Sequence, residues 1–311
     1  MHQGCGLWRR PATRGLLLTG EDRQRLLNGL VTCEVKTLAP GEGALGFFTD
    51  AKGHILSPVV VRAAEDHLWL ELLGGQIPAI ADHIEKYIVV DRVEVSVSAE
   101  LVPLTLVGAG ATTLTGKLLG GQEVPDSAWG HRETQIGEVR VRISMGVELG
   151  VAALTLWAPE SAIPEILQSL QVAAGPDALF DLSDESVEVL RVEAGMPRFR
   201  VDYDSDNLPQ ETGLQEAVSY TKGCFLGQEV VARLQYRGQV ARQVAKLEVE
   251  VGEPPAVGTR VLLEAREAGR LTSVASSPGT GKITALAMLQ RRAIEPGTEL
   301  DFAGGGKARV V

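Results

Sequence analysis

Apolar residues in the first hundred positions fall mostly into short alternating runs separated by turn residues, a pattern typical of strands. Isoleucines at positions 77, 80, 84 and 88 instead recur every three to four residues, which predicts a helix with one apolar face. Glu21 and Asp22 place acidic side chains at the start of another helix, which Gly29 ends. Strands are predicted at 14–19, 45–49, 54–61, 68–73 and 93–97. This order predicts an α+β fold in which helices cover a small sheet.

The middle of the chain continues the mixed pattern. Residues 120–133 show no periodicity and are predicted to form a loop. Ser183 is the predicted N-cap of a helix that ends at Gly195. The polar stretch 196–221 that follows is long for a loop within a globular chain, so we expect it to be functional or a connector. Further strands are predicted at 104–107, 136–144 and 151–157, and further helices at 112–119 and 159–171.

The pattern changes after a helix predicted at about 226–236. Six short apolar runs between Gly and Pro turns then follow, which is the pattern of a small all-β domain. We therefore predict a domain boundary near residue 238, with an α+β region of two interleaved subdomains at 1–238 and a β-barrel at 239–311. The six runs are 244–251, 259–264, 270–275, 282–289, 298–302 and 307–311.

Composition excludes several classes of protein. With 44% hydrophobic and 23% charged residues, the 311-residue chain is neither disordered nor fibrous, and no apolar run reaches the ~18 residues of a membrane-spanning helix. Its three cysteines, Cys5, Cys33 and Cys224, are too far apart for a metal knuckle and odd in number, which argues against a disulfide framework. None of the five histidines pairs with another at helical spacing, so no metal site is predicted. We expect a protein of the reducing cytoplasm.

The net charge of −10 argues against direct nucleic-acid binding and against an anionic membrane surface. The charge is uneven, however, because basic residues outnumber acidic ones from position 222 onward. A local excess of arginines suits an anion that carries carboxylates, and a solvated basic face is the alternative. These arginines are Arg198, Arg200, Arg233, Arg237 and Arg242.

Residues 219–233, which we call the signature segment, contain the densest group of side chains suited to catalysis or binding. Cys224 lies just before a predicted helix, and the helix N-terminus and Lys222 both favour its thiolate form. Gly223 and Gly227 allow a sharp turn or the close approach of a ligand. A buried structural cysteine at a loop–helix junction is the alternative interpretation.

Two residues of the helix that ends at Gly195 are further candidates. Arg191 and Glu193 are two positions apart, so their side chains point to different sides of the helix. This arrangement allows one side chain to face a binding site while the other packs or pairs elsewhere in the protein. A plain surface ion pair is the alternative.

The signature segment resembles that of the YgfZ-type folate-binding proteins, which are relatives of the glycine-cleavage aminomethyltransferase. The resemblance rests first on Lys222-Gly223-Cys224-Phe225-Leu226-Gly227-Gln228-Glu229. It extends over about residues 14–250. Further matching stretches are Leu18-Thr19-Gly20, Asp50-Ala51-Lys52-Gly53, Arg191–Pro197, Leu208–Glu211, Val231-Ala232-Arg233 and Tyr236-Arg237-Gly238.

The resemblance implies ferredoxin-like α/β layers and a C-terminal β-barrel, with three subdomains around a central channel that binds tetrahydrofolate or a one-carbon derivative. It implies a role in maintaining iron–sulfur enzymes, including tRNA-modifying ones, with iron–sulfur proteins or their assembly factors as partners. Cys224 and Lys222 would then be the reactive pair. The folate-binding residues carried over are Arg191, Glu193, Gly223, Gln228, Glu229 and Arg233.

Two departures distinguish the chain from the transferase branch of this family. Transferases carry acidic residues after the glycine of the early hairpin, one of them catalytic, whereas this chain has Ser57-Pro58. Transferases also hold the pterin ring with a Glu, and the matching stretch here has only Glu148. One alternative is an aminomethyltransferase that uses Asp50 instead, and another is a non-enzymatic folate sensor or scaffold.

Overall fold

The structure is a computed structural model. The chain folds into two compact units, which are described separately below. Unit 1 comprises residues 1–28, 34–45 and 59–187, and unit 2 comprises 29–33, 46–58 and 188–311. The predicted division at residue 238 stays a prediction. The structure describes residues 4–146, 149–151, 153–175, 178–237, 240–250 and 252–311, and side chains 235–237 are also outside the described part.

The first hundred residues supply a five-stranded sheet with the order β3-β4-β5-β2-β6. It contains all five strands predicted there, and Ile80 and Ile84 bury the apolar face of the predicted helix. The elements of this stretch are β1 (Cys5–Arg9), β2 (Leu16–Thr19), α1 (Arg23–Asn28), β3 (Gly43–Thr49), β4 (Ile55–Ala63), β5 (His67–Leu72), α2 (Ile77–Glu85) and β6 (Glu94–Val97).

A six-stranded sheet with the order β11-β1-β7-β10-β9-β8 lies within unit 1. Side chains from this sheet and from α3 and α4 form one apolar core, which includes Leu104, Leu114, Ile143 and Ile166. The elements are β7 (Val102–Val107), α3 (Ala111–Leu118), β8 (His131–Ile136), β9 (Val139–Gly146), β10 (Ala153–Ala158), α4 (Ile163–Ala174) and β11 (Leu179–Leu182).

Three strands of this sheet were not predicted, namely β1, β8 and β11. The end of the predicted loop 120–133 belongs to β8, an edge strand whose polar side chains alternate between partly buried and exposed positions. The predicted strand 136–144 begins at the last residue of β8 and extends into β9. Between the two strands lies a turn in which Gly137 has a φ of +59°. The strands β1 and β11 are short and are placed in the sheet by pairing with distant segments, since β1 pairs antiparallel with β7 and parallel with β11.

Unit 2 contains a closed barrel of six strands, as the resemblance implied, and each predicted apolar run contains one of them. Its core includes Leu247, Val261, Leu289 and Leu300. Ser183 caps the helix that precedes the polar stretch, as predicted, because its hydroxyl accepts the Ser186 N–H at 3.2 Å. The remaining elements are α5 (Asp184–Glu193), α6 (Gln228–Arg237), β12 (Arg242–Val249), β13 (Arg260–Leu263), β14 (Arg266–Ser276), β15 (Ile283–Gln290), β16 (Glu299–Phe302) and β17 (Lys307–Val310).

The polar stretch 196–221 is compact although it contains no long helix or strand. Two short 3-10 turns, Pro209–Thr212 and Gln215–Ala217, interrupt it. Within the described part of the chain, no helix combines the length and apolar character needed to cross a membrane.

Candidate functional site

The signature segment is fixed to the rest of unit 2 on both sides of Cys224. Phe225 is buried against Val218 and Val231. The backbone N–H of Leu226 donates to the Gly29 carbonyl at 2.9 Å, and the Leu226 carbonyl accepts the Thr49 hydroxyl at 2.6 Å. The segment is therefore a well-supported loop rather than a free one.

Lys222 points into the protein. Its side chain is buried, and its ammonium donates to the carbonyls of Val31, at 2.8 Å, and of Cys33. The same nitrogen lies 5.4 Å from the centre of the Phe225 ring, within cation–π distance. These contacts make Lys222 an anchor of the segment, and its assignment to the reactive pair stays a prediction.

Cys224 is exposed, whereas Cys5 and Cys33 are buried. Burial raises the pKa of the Cys5 thiol to about 11, only partly offset by a backbone hydrogen bond near Val107. Among the three thiols, therefore, only Cys224 combines solvent access with a place in the sequence motif. A reactive thiol needs this access, so the arrangement fits a nucleophilic or redox role.

Two glycines explain how the early hairpin meets the signature segment. Gly53 has a φ of +83° and Gly227 a φ of +82°, a backbone conformation that residues other than glycine rarely adopt. A Cβ on Gly227 would lie 2.6 Å from the Asp50 carbonyl oxygen and 2.8 Å from the Gly53 Cα. The turn before α6 therefore touches the hairpin backbone directly. Gly223 differs, because a Cβ there would have nothing within 4 Å.

Replacing Gly227 with alanine should lower the free energy of unfolding by about 1–3 kcal/mol, because the new methyl group strains the backbone and meets the hairpin. The matched variant Gly223→Ala should change it by less than about 0.5 kcal/mol. Urea denaturation followed by circular dichroism measures both. Equal effects of the two substitutions would contradict the proposed contact.

Arg191 is buried, and all five of its N–H groups donate to partners within unit 2. Glu188 accepts two of them, the Met196 carbonyl one at 2.6 Å, Asp202 one at 2.7 Å and the Ser273 hydroxyl one at 2.8 Å. Burial lowers the pKa of Arg191, but the hydrogen bonds and charges of Glu188 and Asp202 outweigh it and raise that pKa overall.

Direct folate binding by Arg191 stays a prediction, and it requires the exchange of one of these five hydrogen bonds. None of the five goes to the signature segment. Glu193 is partly exposed and makes no side-chain hydrogen bond or ion pair with the described residues. It is therefore the freer of the two predicted anchors.

The remaining predicted folate residues lie at the start of α6. Gln228 is partly buried, whereas Glu229 and Arg233 are exposed. None of the three forms a side-chain ion pair within the described part of the chain. Their roles in folate binding stay predictions. Of the other arginines, Arg198 pairs with Glu188 at 2.9 Å and Arg242 with Glu211 at 3.4 Å.

The hairpin lacks a carboxylate where the transferases carry theirs. Ser57 is fully buried, and its hydroxyl donates to the Pro58 carbonyl at 3.0 Å. Asp50 serves the turn itself, since one of its oxygens accepts the backbone N–H groups of Lys52 at 2.8 Å and His54 at 2.9 Å. Glu148, the only acidic residue in the stretch that matches the pterin-holding turn of the transferases, lies outside the described residues.

Asp202 is a central residue that sequence reasoning did not single out. Its carboxylate is inaccessible to solvent and accepts hydrogen bonds from four groups. Two come from Arg191 and the backbone of Arg198, and two from Thr272 and Ser273 of β14. The sequence offered only its place in a polar stretch, where neighbouring aspartates look alike.

The sequence matches two protein-family models in succession. Residues 1–222 match the GCVT N-terminal domain, and residues 242–311 match the glycine cleavage T-protein C-terminal barrel domain.

Curated relatives are named tRNA-modifying protein YgfZ. That of Colwellia psychrerythraea is 29% identical over 240 residues, which are 76% of this chain and 69% of the relative. That of Vibrio vulnificus strain YJ016 is 28% identical over 298 residues, covering 93% and 85% of the two chains.

Among solved structures, the glycine cleavage system aminomethyltransferase T from Bartonella henselae superposes with a TM-score of 0.84 at 19% identity. The match covers 100% of this chain and 86% of that one. The fold implied by the sequence resemblance is thereby confirmed.

Proposed function

The chain belongs to the glycine cleavage T-protein family, and on that premise we propose that it is a tetrahydrofolate-binding accessory protein that supports iron–sulfur enzymes, including those that modify tRNA. The observation that carries the proposal is the exposed Cys224 on a segment fixed by its neighbours on both sides. The names of the curated relatives support the link to tRNA modification.

The reactive thiol is the feature that a transferase does not need. A nucleophile works best when its surroundings are held rigid and its own atom is accessible. Phe225 and Lys222 supply the rigidity, and the exposure of Cys224 supplies the access. In this proposal Cys224 acts as a redox or nucleophilic group, and Lys222 holds the loop that presents it.

The predicted folate residues carry groups that suit a folate, either tetrahydrofolate or a one-carbon derivative. Nothing within 4 Å of a Cβ on Gly223 blocks the approach of a flat ring to the backbone. The carboxylates of Glu193 and Glu229 suit the N–H groups of a pterin, and the Arg233 guanidinium suits the carboxylates of a glutamate tail. We assign folate binding to these residues and to Gln228, with Arg191 as the buried support of Glu193 in α5.

An accessory role is favoured over aminomethyl transfer because the acidic position of the hairpin holds Ser57-Pro58. A serine hydroxyl is a poor general base at neutral pH, and the proline side chain accepts no proton. We further propose a cytoplasmic protein with a separate barrel domain at 239–311 and with iron–sulfur proteins or their assembly factors as partners.

Complementation tests this proposal. Expressed in a strain that lacks its own YgfZ-type relative, the chain should restore the product of an iron–sulfur tRNA-modifying enzyme, measured as the modified nucleoside in bulk tRNA. Purified protein with lipoylated carrier, ammonia and methylene-tetrahydrofolate should show no sustained aminomethyl transfer. Failure to restore the nucleoside, together with steady turnover in the second assay, would favour the transferase instead.

A further inference from the structure

Unit 1 holds a group of charges, some of them deeply buried, that the proposed function does not use. We call it the arginine cluster, and it consists of Arg10, Arg62, Arg142, Glu71 and Glu133. The side chain of Arg62 is only 2% exposed and that of Arg142 only 11%. Charges this deeply placed are costly unless their partners satisfy them fully.

Three cations share two carboxylates in this cluster. Arg62 Nη1 donates to Glu71 Oε2 at 2.8 Å, whereas Arg10 Nη1 lies 3.6 Å from the other oxygen of Glu71. Arg142 Nη2 donates to Glu133 Oε1 at 2.7 Å. The cluster therefore has an excess of positive charge, although the chain as a whole has a net charge of −10.

Indole rings fix the orientation of the three guanidinium groups. The Cζ atoms of Arg62 and Arg142 lie 4.9 Å and 4.2 Å from the centre of the Trp69 ring. The Cζ of Arg10 lies 5.1 Å from the Trp8 ring and 5.2 Å from the Trp157 ring. Cation–π contacts occupy the faces of a guanidinium and leave its N–H edge for hydrogen bonding.

Several of these edges have no partner among the described residues. They are the Nε and Nη2 of Arg10 and the Nε atoms of Arg62 and Arg142, all of which are buried. The two atoms of Arg10 form the side-on fork of the guanidinium, whose geometry matches two oxygens of one carboxylate or phosphate. A buried donor without an acceptor is unfavourable, so an oxyanion that accepts from the fork would stabilise the cluster.

His131 lies within the electrostatic influence of the cluster. Its Nε2 hydrogen-bonds the Ala63 carbonyl at 2.8 Å, and its pKa is lowered to about 4. Burial is the main cause and the hydrogen bond opposes it, but the positive charges of Arg62 and Arg142 lower the pKa further. The neutral ring thus adds no further positive charge to the cluster.

We propose that the arginine cluster is a binding site for a small oxyanion, a carboxylate or a phosphate, held by the side-on fork of Arg10. The site lies within unit 1 and does not depend on the folate proposal. Of the three arginines Arg10 is the most exposed, with 19% of its side chain accessible, although the two atoms of its fork are buried, and Arg62 and Arg142 supply the surrounding positive charge.

Isothermal titration calorimetry of the full chain with inorganic phosphate, and separately with acetate, at constant ionic strength tests this site. We expect saturable binding of one anion per chain, and the tighter of the two probes identifies the preferred chemistry. Arg10→Lys keeps the charge but removes the fork, and it should weaken binding at least tenfold. The matched control Arg9→Lys should not, because Arg9 is 49% exposed and pairs with Asp181 on the surface.

Absence of saturable heat with both probes, or equal affinity for the Arg10→Lys variant, would overturn the proposal. If Arg10→Lys fails to fold, hydrogen exchange of the wild-type chain tests the site instead. Phosphate or acetate should then slow exchange in β1 and β5, which carry or adjoin Trp8, Arg10 and Glu71, and leave the barrel unchanged. Unchanged exchange in both strands would also contradict the site.

Discussion

Replacing Arg191 with methionine should lower the free energy of unfolding by about 3–5 kcal/mol, because it leaves the buried Asp202 carboxylate without the cation that neutralises it. The buried Asp202 would lose its ion-pair partner and Glu188 one of its two, and the Met196 carbonyl and Ser273 hydroxyl would each lose a donor. Urea denaturation followed by circular dichroism measures the loss.

The matched control is Arg198→Met. Arg198 also pairs with Glu188, but its side chain is 44% exposed, so its removal should cost less than about 1 kcal/mol. A loss below that value for Arg191→Met would show that the network contributes little to the stability of the fold.

The same network predicts how stability responds to acid. Burial raises the pKa of Glu188, but the hydrogen bond and charge of Arg191 outweigh it, so the pKa in the folded state is lower than usual. The stabilisation is therefore complete above the unfolded value of about 4.3 and is lost as the pH falls through the folded value. Arg191→Met should show a weaker dependence on pH in this acidic range. If the variant shows the same pH dependence of stability as the wild type, carboxylates other than Glu188 cause it.

Replacing Cys224 with alanine should abolish the restoration of tRNA modification in the complementation strain. The free energy of unfolding should change by less than about 0.5 kcal/mol, because Cys224 is exposed and contributes little to packing. The modified nucleoside in bulk tRNA measures the first effect and urea denaturation the second.

Cys5→Ala provides the opposite control. Cys5 is 2% exposed and belongs to the apolar core of unit 1, so its truncation should cost about 1 kcal/mol yet leave cellular function intact. Full restoration of the nucleoside by Cys224→Ala would remove the thiol from the account and favour a scaffold role.

Much of the fold follows from local sequence. The isoleucine spacing predicted α2 and the apolar runs predicted β12–β17, because each of these elements is periodic and buries one face. The missed strands lack that signal, because β8 has polar residues at its four central positions and β1 and β11 are held by pairing between distant segments. Such pairing is a tertiary effect, which no short window of sequence contains.

The sequence singled out the candidate segment, whose role stays a prediction, but did not reveal its contacts. The signature segment identifies itself through Cys224 and its glycines, and the structure exposes that thiol. Nothing in the sequence indicates that the Lys222 ammonium turns toward the Val31 carbonyl, or that Arg191 meets Asp202. The sequence indicated the arginine cluster at one position, where the charged Arg62 follows three valines in the mostly apolar strand β4.

Calorimetric titration with tetrahydrofolate tests the central claim most directly. We expect saturable binding of one ligand per chain, weakened in Glu193→Ala and unchanged in Glu253→Ala, an exposed carboxylate outside the proposed site. Glu193 makes no side-chain bond with the described residues, so its removal should not disturb the fold. Absence of saturable heat up to about 1 mM ligand would contradict the account and show a folate-family fold that has lost its ligand.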